Sequence, residues 1–63
     1  MIKENRLKRN YTQEQLAEIL GISTRQLQRI EKNEEETRIK TLKKIISILK
    51  IPNEEIIEYI NKK

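Results

Sequence analysis

The segment Thr24-Arg25-Gln26-Leu27-Gln28-Arg29 carries the side chains best equipped for chemistry, and that chemistry is hydrogen bonding. Arg25 and Arg29 stand four residues apart, so on a helix both project from one face. Thr24, Arg25, Gln28 and Arg29 form the outward set, Gln26 flanks it, and Leu27 and Ile30 point the other way. The set is wholly polar and contains no acid. A guanidinium can donate two parallel bonds to O6 and N7 of guanine, and a side-chain amide can match N6 and N7 of adenine. The competing reading is an ordinary solvated helix face, which every surface helix needs.

Bond-breaking chemistry finds little support. The chain has no His and no Cys, which removes the usual nucleophile–base pairs and the usual zinc ligands. The remaining acid–base groups are carboxylates, Lys and Tyr, and no Gly-rich phosphate loop or nucleophile elbow is present. An enzyme is not expected, and neither is a metal or a cofactor.

These side chains need a scaffold, and 63 residues allow one domain, spanning 1–63. So short a chain buries a thin core, and without Cys or His its remaining route to added stability is self-association. The charge of 14 Lys plus Arg against 10 Asp plus Glu is +4 and uneven. Residues 1–32 hold 7 basic and 4 acidic side chains, a net +3, and residues 33–63 hold 7 and 6, a net +1. A polyanionic partner is therefore sought by the first half. Met1-Ile2-Lys3-Glu4-Asn5-Arg6 has no apolar run behind its charges, and no segment approaches the roughly 18 apolar residues of a membrane span. A cytoplasmic protein is expected, and the Lys-, Ile-, Glu- and Asn-rich composition suits a bacterial or phage origin.

Apolar residues recur at helical spacing, and there is no strand signal. Helices are expected near 2–9, 13–20, 24–32, 38–50 and 54–61, an all-α architecture. Two starts are strongly marked. Thr12-Gln13-Glu14-Gln15 and Ser23-Thr24-Arg25-Gln26 are capping boxes, each preceded by an apolar residue, Tyr11 or Ile22, able to staple onto Leu16 or Leu27. The caps lie eleven residues apart, and Gly21 falls just past the helix between them, where a left-handed residue is wanted. A short helix, a tight turn and a second short helix follow, the layout of a helix-turn-helix. Ala17 sits where the two helices approach closest, and Leu16, Leu20, Leu27 and Ile30 close the inside.

With these features in register, Tyr11 to Ser23 and Arg29-Ile30-Glu31 resemble the lambda-repressor and Cro-type (XRE) helix-turn-helix family. The resemblance runs from Ile2 to about Ile60 and is most specific over residues 11–31, with the motif at 13–32. It implies a compact bundle of about five short helices that binds palindromic double-stranded operator DNA, usually as a homodimer, to regulate transcription, most often as a repressor. It further implies that the helix after Ser23 enters the major groove. Thr24, Arg25, Gln28 and Arg29 would then contact bases. Gln13 would contact a phosphate and brace the start of that helix near Thr24, with Lys8, Arg9, Gln26 and Lys32 as further phosphate contacts. Arg6 matches a first-helix Arg that pairs with the Glu matching Glu31, a structural salt bridge.

Three departures from the family pattern stand out. Asn5 occupies a usually apolar position, so the first helix is expected to dock weakly. Asn33 stands where Gly is common and is expected to take the left-handed conformation. Glu34-Glu35-Glu36 replaces a loop that usually faces phosphates. These acids are turned away from DNA, or they reduce affinity, or they lead helix 4 and favour its dipole with Thr37 as N-cap; the last is preferred. The second half is richer in apolar residues than one short helix can bury. An exposed patch is expected, serving a twofold dimer through Ile57, Tyr59 and Ile60. The alternatives to a DNA regulator are a protein-binding module or antitoxin-like protein on the same fold, or the N-terminal DNA-binding piece of a larger sensor.

Overall fold

The computed structural model describes residues 1–62 and contains five α-helices: α1 (Ile2–Lys8), α2 (Gln13–Leu20), α3 (Thr24–Lys32), α4 (Ile39–Leu49) and α5 (Asn53–Asn61). A single 3-10 turn, Glu34–Glu36, lies between α3 and α4, and no strand occurs among the described residues. Each helix falls within a residue of its sequence-predicted bounds. No helix among the described residues is long and apolar enough to cross a membrane.

Both capping boxes are formed. Thr12 Oγ1 accepts from Gln15 N at 3.0 Å while Gln15 Oε1 accepts from Thr12 N at 2.9 Å. Ser23 and Gln26 repeat the exchange at 3.1 and 2.9 Å. Each box satisfies two backbone donors that a helix start would leave bare.

Three helices end in one way. Asn10, Gly21 and Lys50 have φ of 61°, 72° and 51°, and the next amide, of Tyr11, Ile22 or Ile51, bonds back to the carbonyl five residues earlier. In this arrangement the residue after the left-handed one returns to the core. Tyr11 and Ile22 pack against the core, and Ile51 is buried within it. Asn33 departs from expectation: its φ of −131° and ψ of 68° are not left-handed, because the chain continues directly into the 3-10 turn instead of reversing.

The core is Ile2, Leu16, Ala17, Leu20, Leu27, Ile45, Leu49 and Ile51. Leu16 and Leu27, the residues below the two stapled caps, are fully buried, and Ala17 lies buried beside them. Ile19 and Ile39 belong to the apolar periodicity read from the sequence, yet they are 51% and 70% exposed. The short helices bury a stripe narrower than their apolar content.

Helix α1 docks firmly, contrary to expectation, and it does so with polar groups. Asn5 is buried, and its Nδ2 donates to Met1 O and to Glu55 Oε1, each at 2.7 Å. Arg9 Nε donates to Leu49 O at 3.0 Å, at the carbonyl end of α4 where a cation suits the helix dipole. Glu34 also departs from its expected place. Its Oε2 accepts from Ile2 N at 2.8 Å and from the Met1 ammonium at 3.3 Å, so it caps α1. Helix α4 begins instead at Arg38 with no side-chain cap, and Thr37 Oγ1 is buried without capping anything. The Met1 ammonium also meets Glu4 at 2.7 Å. Desolvation pulls its pKa down most strongly, but the hydrogen bonds and charges of Glu4 and Glu34 together outweigh this, and the net pKa is raised. Glu4 is lowered, chiefly by its hydrogen bond to that ammonium.

Candidate nucleic-acid interface

Helix α3 presents its polar face as the spacing requires. Arg25, Gln28, Arg29 and Lys32 are all exposed and follow one another at i, i+3, i+4 and i+7, a single stripe. Thr24 is half-buried at the start of the helix, while Leu27 is fully buried and Ile30 half-buried on the opposite side. Gln26 is exposed but committed, since its Oε1 closes the Ser23 capping box. Its expected phosphate contact therefore falls to its amide nitrogen. No acid stands in the first turn of α3.

Beneath this face lies a polar network centred on Glu31. Arg6 Nε donates to Glu31 Oε2 at 2.7 Å and Arg6 NH2 to Glu31 Oε1 at 3.4 Å, a forked pair whose side chains are 8% and 6% exposed. The third arm of Arg6 donates to Tyr11 O at 2.9 Å, just before the Thr12 cap. One guanidinium thus ties α1 to the end of α3 and the start of α2. Buried charges persist where they are paired and hydrogen-bonded, and here each of the three guanidinium nitrogens has a partner. Gln13 Nε2 donates to Glu31 Oε1 at 3.1 Å, and Gln28 Nε2 donates to Gln13 Oε1 at 3.3 Å. Gln13 therefore braces α3 at Gln28 and Glu31, one turn and more beyond the expected brace near Thr24.

The other expected phosphate contacts lie on separate elements. Lys8 is exposed at the end of α1, and Lys32 is exposed at the end of α3. Arg9 is exposed too, but its Nε holds Leu49 O, a structural duty that its place in the sequence did not reveal. A groove of about 680 Å³ runs beside α3 and is lined by Gln26, Arg29, Lys32, Arg38 and Thr41, with Glu36 among them. Arg38 is the cation the sequence reading passed over. It is exposed and leads α4, whose first turn holds no acid. A basic residue just ahead of an acid-free helix start was the available signal.

The expected association surface is only partly assembled. Ile57 and Ile60 are 57% and 61% exposed and lie three apart on α5, so they share a face. Tyr59 does not join them. It is half-buried with its hydroxyl buried, because residues two apart on a helix point in nearly opposite directions.

Residues 2–56 match the family described as helix-turn-helix, which is most of the chain. No curated protein and no solved structure matches it. With the motif's caps, turn and inner face all in place, the chain belongs to the lambda-repressor and Cro-type helix-turn-helix family of DNA-binding regulators.

Proposed function

We propose that this protein is a sequence-specific transcriptional regulator, acting as a repressor by occupying a palindromic operator in the cytoplasm with α3 in the major groove. The observation that carries this reading is the acid-free stripe of Arg25, Gln28, Arg29 and Lys32, mounted on a helix fixed at both ends. Arg25 and Arg29 read guanine, and Thr24 and Gln28 complete the base contacts. Gln13, Lys8, Arg9, Gln26 and Lys32 hold the phosphates, and Arg38, which shares a groove with Arg29 and Lys32, joins them. Ile57 and Ile60 form the centre of a twofold contact that sets two copies of α3 on successive major grooves, about 34 Å apart.

Selection from a random duplex library at near-physiological salt tests this. An enriched inverted repeat with half-sites about one helical turn apart is expected. Failure to enrich any sequence refutes sequence-specific recognition. The exposed Ile57 and Ile60 also favour a second reading, in which α5 receives a different protein as in an antitoxin. Sedimentation of the protein at high concentration, free and DNA-bound, separates the two, because the first requires a dimer and the second a monomer.

A further inference from the structure

We infer that α4 carries a second DNA-binding surface, a lysine ridge that holds the phosphate backbone of a duplex other than the one seated on α3. This rests on the proposed major-groove reading only for the first duplex. Residues 37–53 hold five basic side chains, Arg38, Lys40, Lys43, Lys44 and Lys50, and no acid. The six acids of residues 33–63 all lie outside this run, at 34–36, 54, 55 and 58, so the net charge of +1 conceals the segregation. Lys40, Lys43, Lys44 and Ser47 are exposed and follow one another at i, i+3, i+4 and i+7, opposite the buried Ile45 and Leu49. Helix α4 packs its core side against α1 and α2, which leaves the ridge uncovered. Among the described residues none of the three lysines forms an ion pair.

A merely solvated face would mix its charges at i, i+4, as α5 does with Glu58 and Lys62 at 3.6 Å. Lys40 instead meets Lys43 and Lys44 at i+3 and i+4, spacings at which like charges repel. Lys40 also stands in the first turn of α4, where the helix dipole favours an anion. A polyanion laid along the ridge relieves both penalties. The ridge has no apolar residue at its centre, and Lys is depleted from protein–protein contacts, so an acidic protein fits it poorly. It has no aromatic platform for unpaired bases, because Tyr11 and Tyr59 are half-buried elsewhere. It has no Arg, Asn or Gln to read base edges. The backbone of a duplex, held without regard to sequence, suits it best. That duplex is not the one on α3. The stripe of α3 and the ridge of α4 both point away from one core, shared by Leu27, Ile45 and Leu49. The exposed Glu35 and Glu36 stand between the two helices in the chain, and Glu36 lines the groove that joins Arg29 and Lys32 to Arg38. A backbone crossing from one surface to the other would meet these carboxylates. The protein therefore bridges two duplex segments, reading one and gripping the other.

Co-capture of two duplexes by the full chain provides the test. One duplex is tethered to beads, and a second, of unrelated sequence, is fluorescent and free. The tethered duplex carries the sequence enriched by selection, or mixed sequence if none is enriched, so failure of the α3 reading does not hide the ridge. The wild type should carry the free duplex to the beads. Each neutralised phosphate adds about 0.9 to the salt slope, so three lysines should weaken that capture roughly 40-fold between about 50 and 200 mM salt. Lys40→Gln, Lys43→Gln and Lys44→Gln together should keep the helical content and the affinity for the tethered duplex, and should reduce capture of the free one by roughly tenfold or more. If the wild type enriches no sequence but still captures the free duplex, the α3 reading fails and the ridge stands. No capture by the wild type, undiminished capture by the triple variant, or equal loss of both duplexes by that variant overturns the proposal. So does displacement of the free duplex by polyglutamate at equal charge, which would assign the ridge to an acidic chain.

Discussion

Replacing Arg6 by Met should come close to unfolding the protein, whereas replacing both Arg6 and Glu31 by apolar residues should not. Arg6 makes three hydrogen bonds, to Glu31 Oε2, Glu31 Oε1 and Tyr11 O, from a side chain only 8% exposed. Its removal leaves Glu31, 6% exposed, with Gln13 as its remaining partner. Breaking a buried pair from one side costs about 3–5 kcal/mol, because the surviving charge stays buried. A domain of this length is stable by only about 3–9 kcal/mol, at roughly 0.05–0.15 kcal/mol per residue. Arg6→Met with Glu31→Leu removes both charges and replaces them with packing, which is often neutral for such pairs. The double variant should lie within about 2 kcal/mol of the wild type. Urea unfolding followed by far-ultraviolet circular dichroism reads this directly. With a slope of about 1 kcal/mol per molar urea for so small a domain, the single variant's midpoint should fall by about 3–5 M, and the double should recover most of that. A fall below about 1 M, or a double variant no better than the single, would refute the assignment of Glu31 and Arg6 as a mutually dependent buried pair.

Gly21→Ala should cost about 1–2 kcal/mol although an added Cβ would meet nothing within 4 Å, because the whole cost lies in the left-handed backbone; Lys50→Gly should stabilise by up to about 1 kcal/mol for the converse reason, both read by urea unfolding. The raised pKa of the Met1 ammonium contributes stability that is complete below its ordinary value of 8.0 and is lost as pH rises through the higher folded value. Thermal stability should therefore decline above about pH 8, and a chain acetylated at Met1 should lose this dependence. The lowered pKa of Glu4 acts oppositely, with its contribution present above the ordinary 4.5 and lost as pH falls through the lower folded value. Arg25→Ala and Arg29→Ala should each cost about 1–3 kcal/mol at one base pair, while Lys8→Ala should weaken all duplexes alike and shallow the salt slope by about one unit in titrations at several salt concentrations. Ile57→Glu with Ile60→Glu should keep the helical content and give a monomer by sedimentation, and a persistent dimer would move the interface elsewhere.

The sequence made the motif legible because its instructions are local. A Ser or Thr three residues before Gln fixes a helix start, and a Gly followed by Ile fixes a helix end, with no knowledge of the rest of the chain. Asn10-Tyr11 and Lys50-Ile51 end helices in the same manner, but Asn tolerates many turns and Lys carries no such signal, so only the Gly21 example was readable. The roles of Asn5, Arg9 and Glu34 were not legible at all. Each is satisfied by a group from a distant part of the chain, Glu55, Leu49 O or Ile2 N, and nothing within a few residues of each records that partner. The candidate site divides in the same way. The stripe of Arg25, Gln28, Arg29 and Lys32 follows from periodicity, whereas the link from Gln13 to Gln28 needs the crossing of α2 and α3 in three dimensions.

The polar ties of α1 also bear on the order in which the protein acquires its structure during synthesis. Arg6 waits for Glu31, Ile2 for Glu34, Arg9 for Leu49 and Asn5 for Glu55, so the partners arrive 25, 32, 40 and 50 residues later. At about 5–20 residues per second, that delay is on the order of a few seconds. A seven-residue helix has no stability of its own over such a time. The pair α2 and α3, by contrast, carries its caps and turn within itself. The part of the chain made first therefore cannot complete its ties until residue 55 has emerged. Helix α3 is tied to α1 from beneath only when Arg6 closes onto Glu31, so a nascent chain cannot fix α3 in this way before about half of its length has emerged.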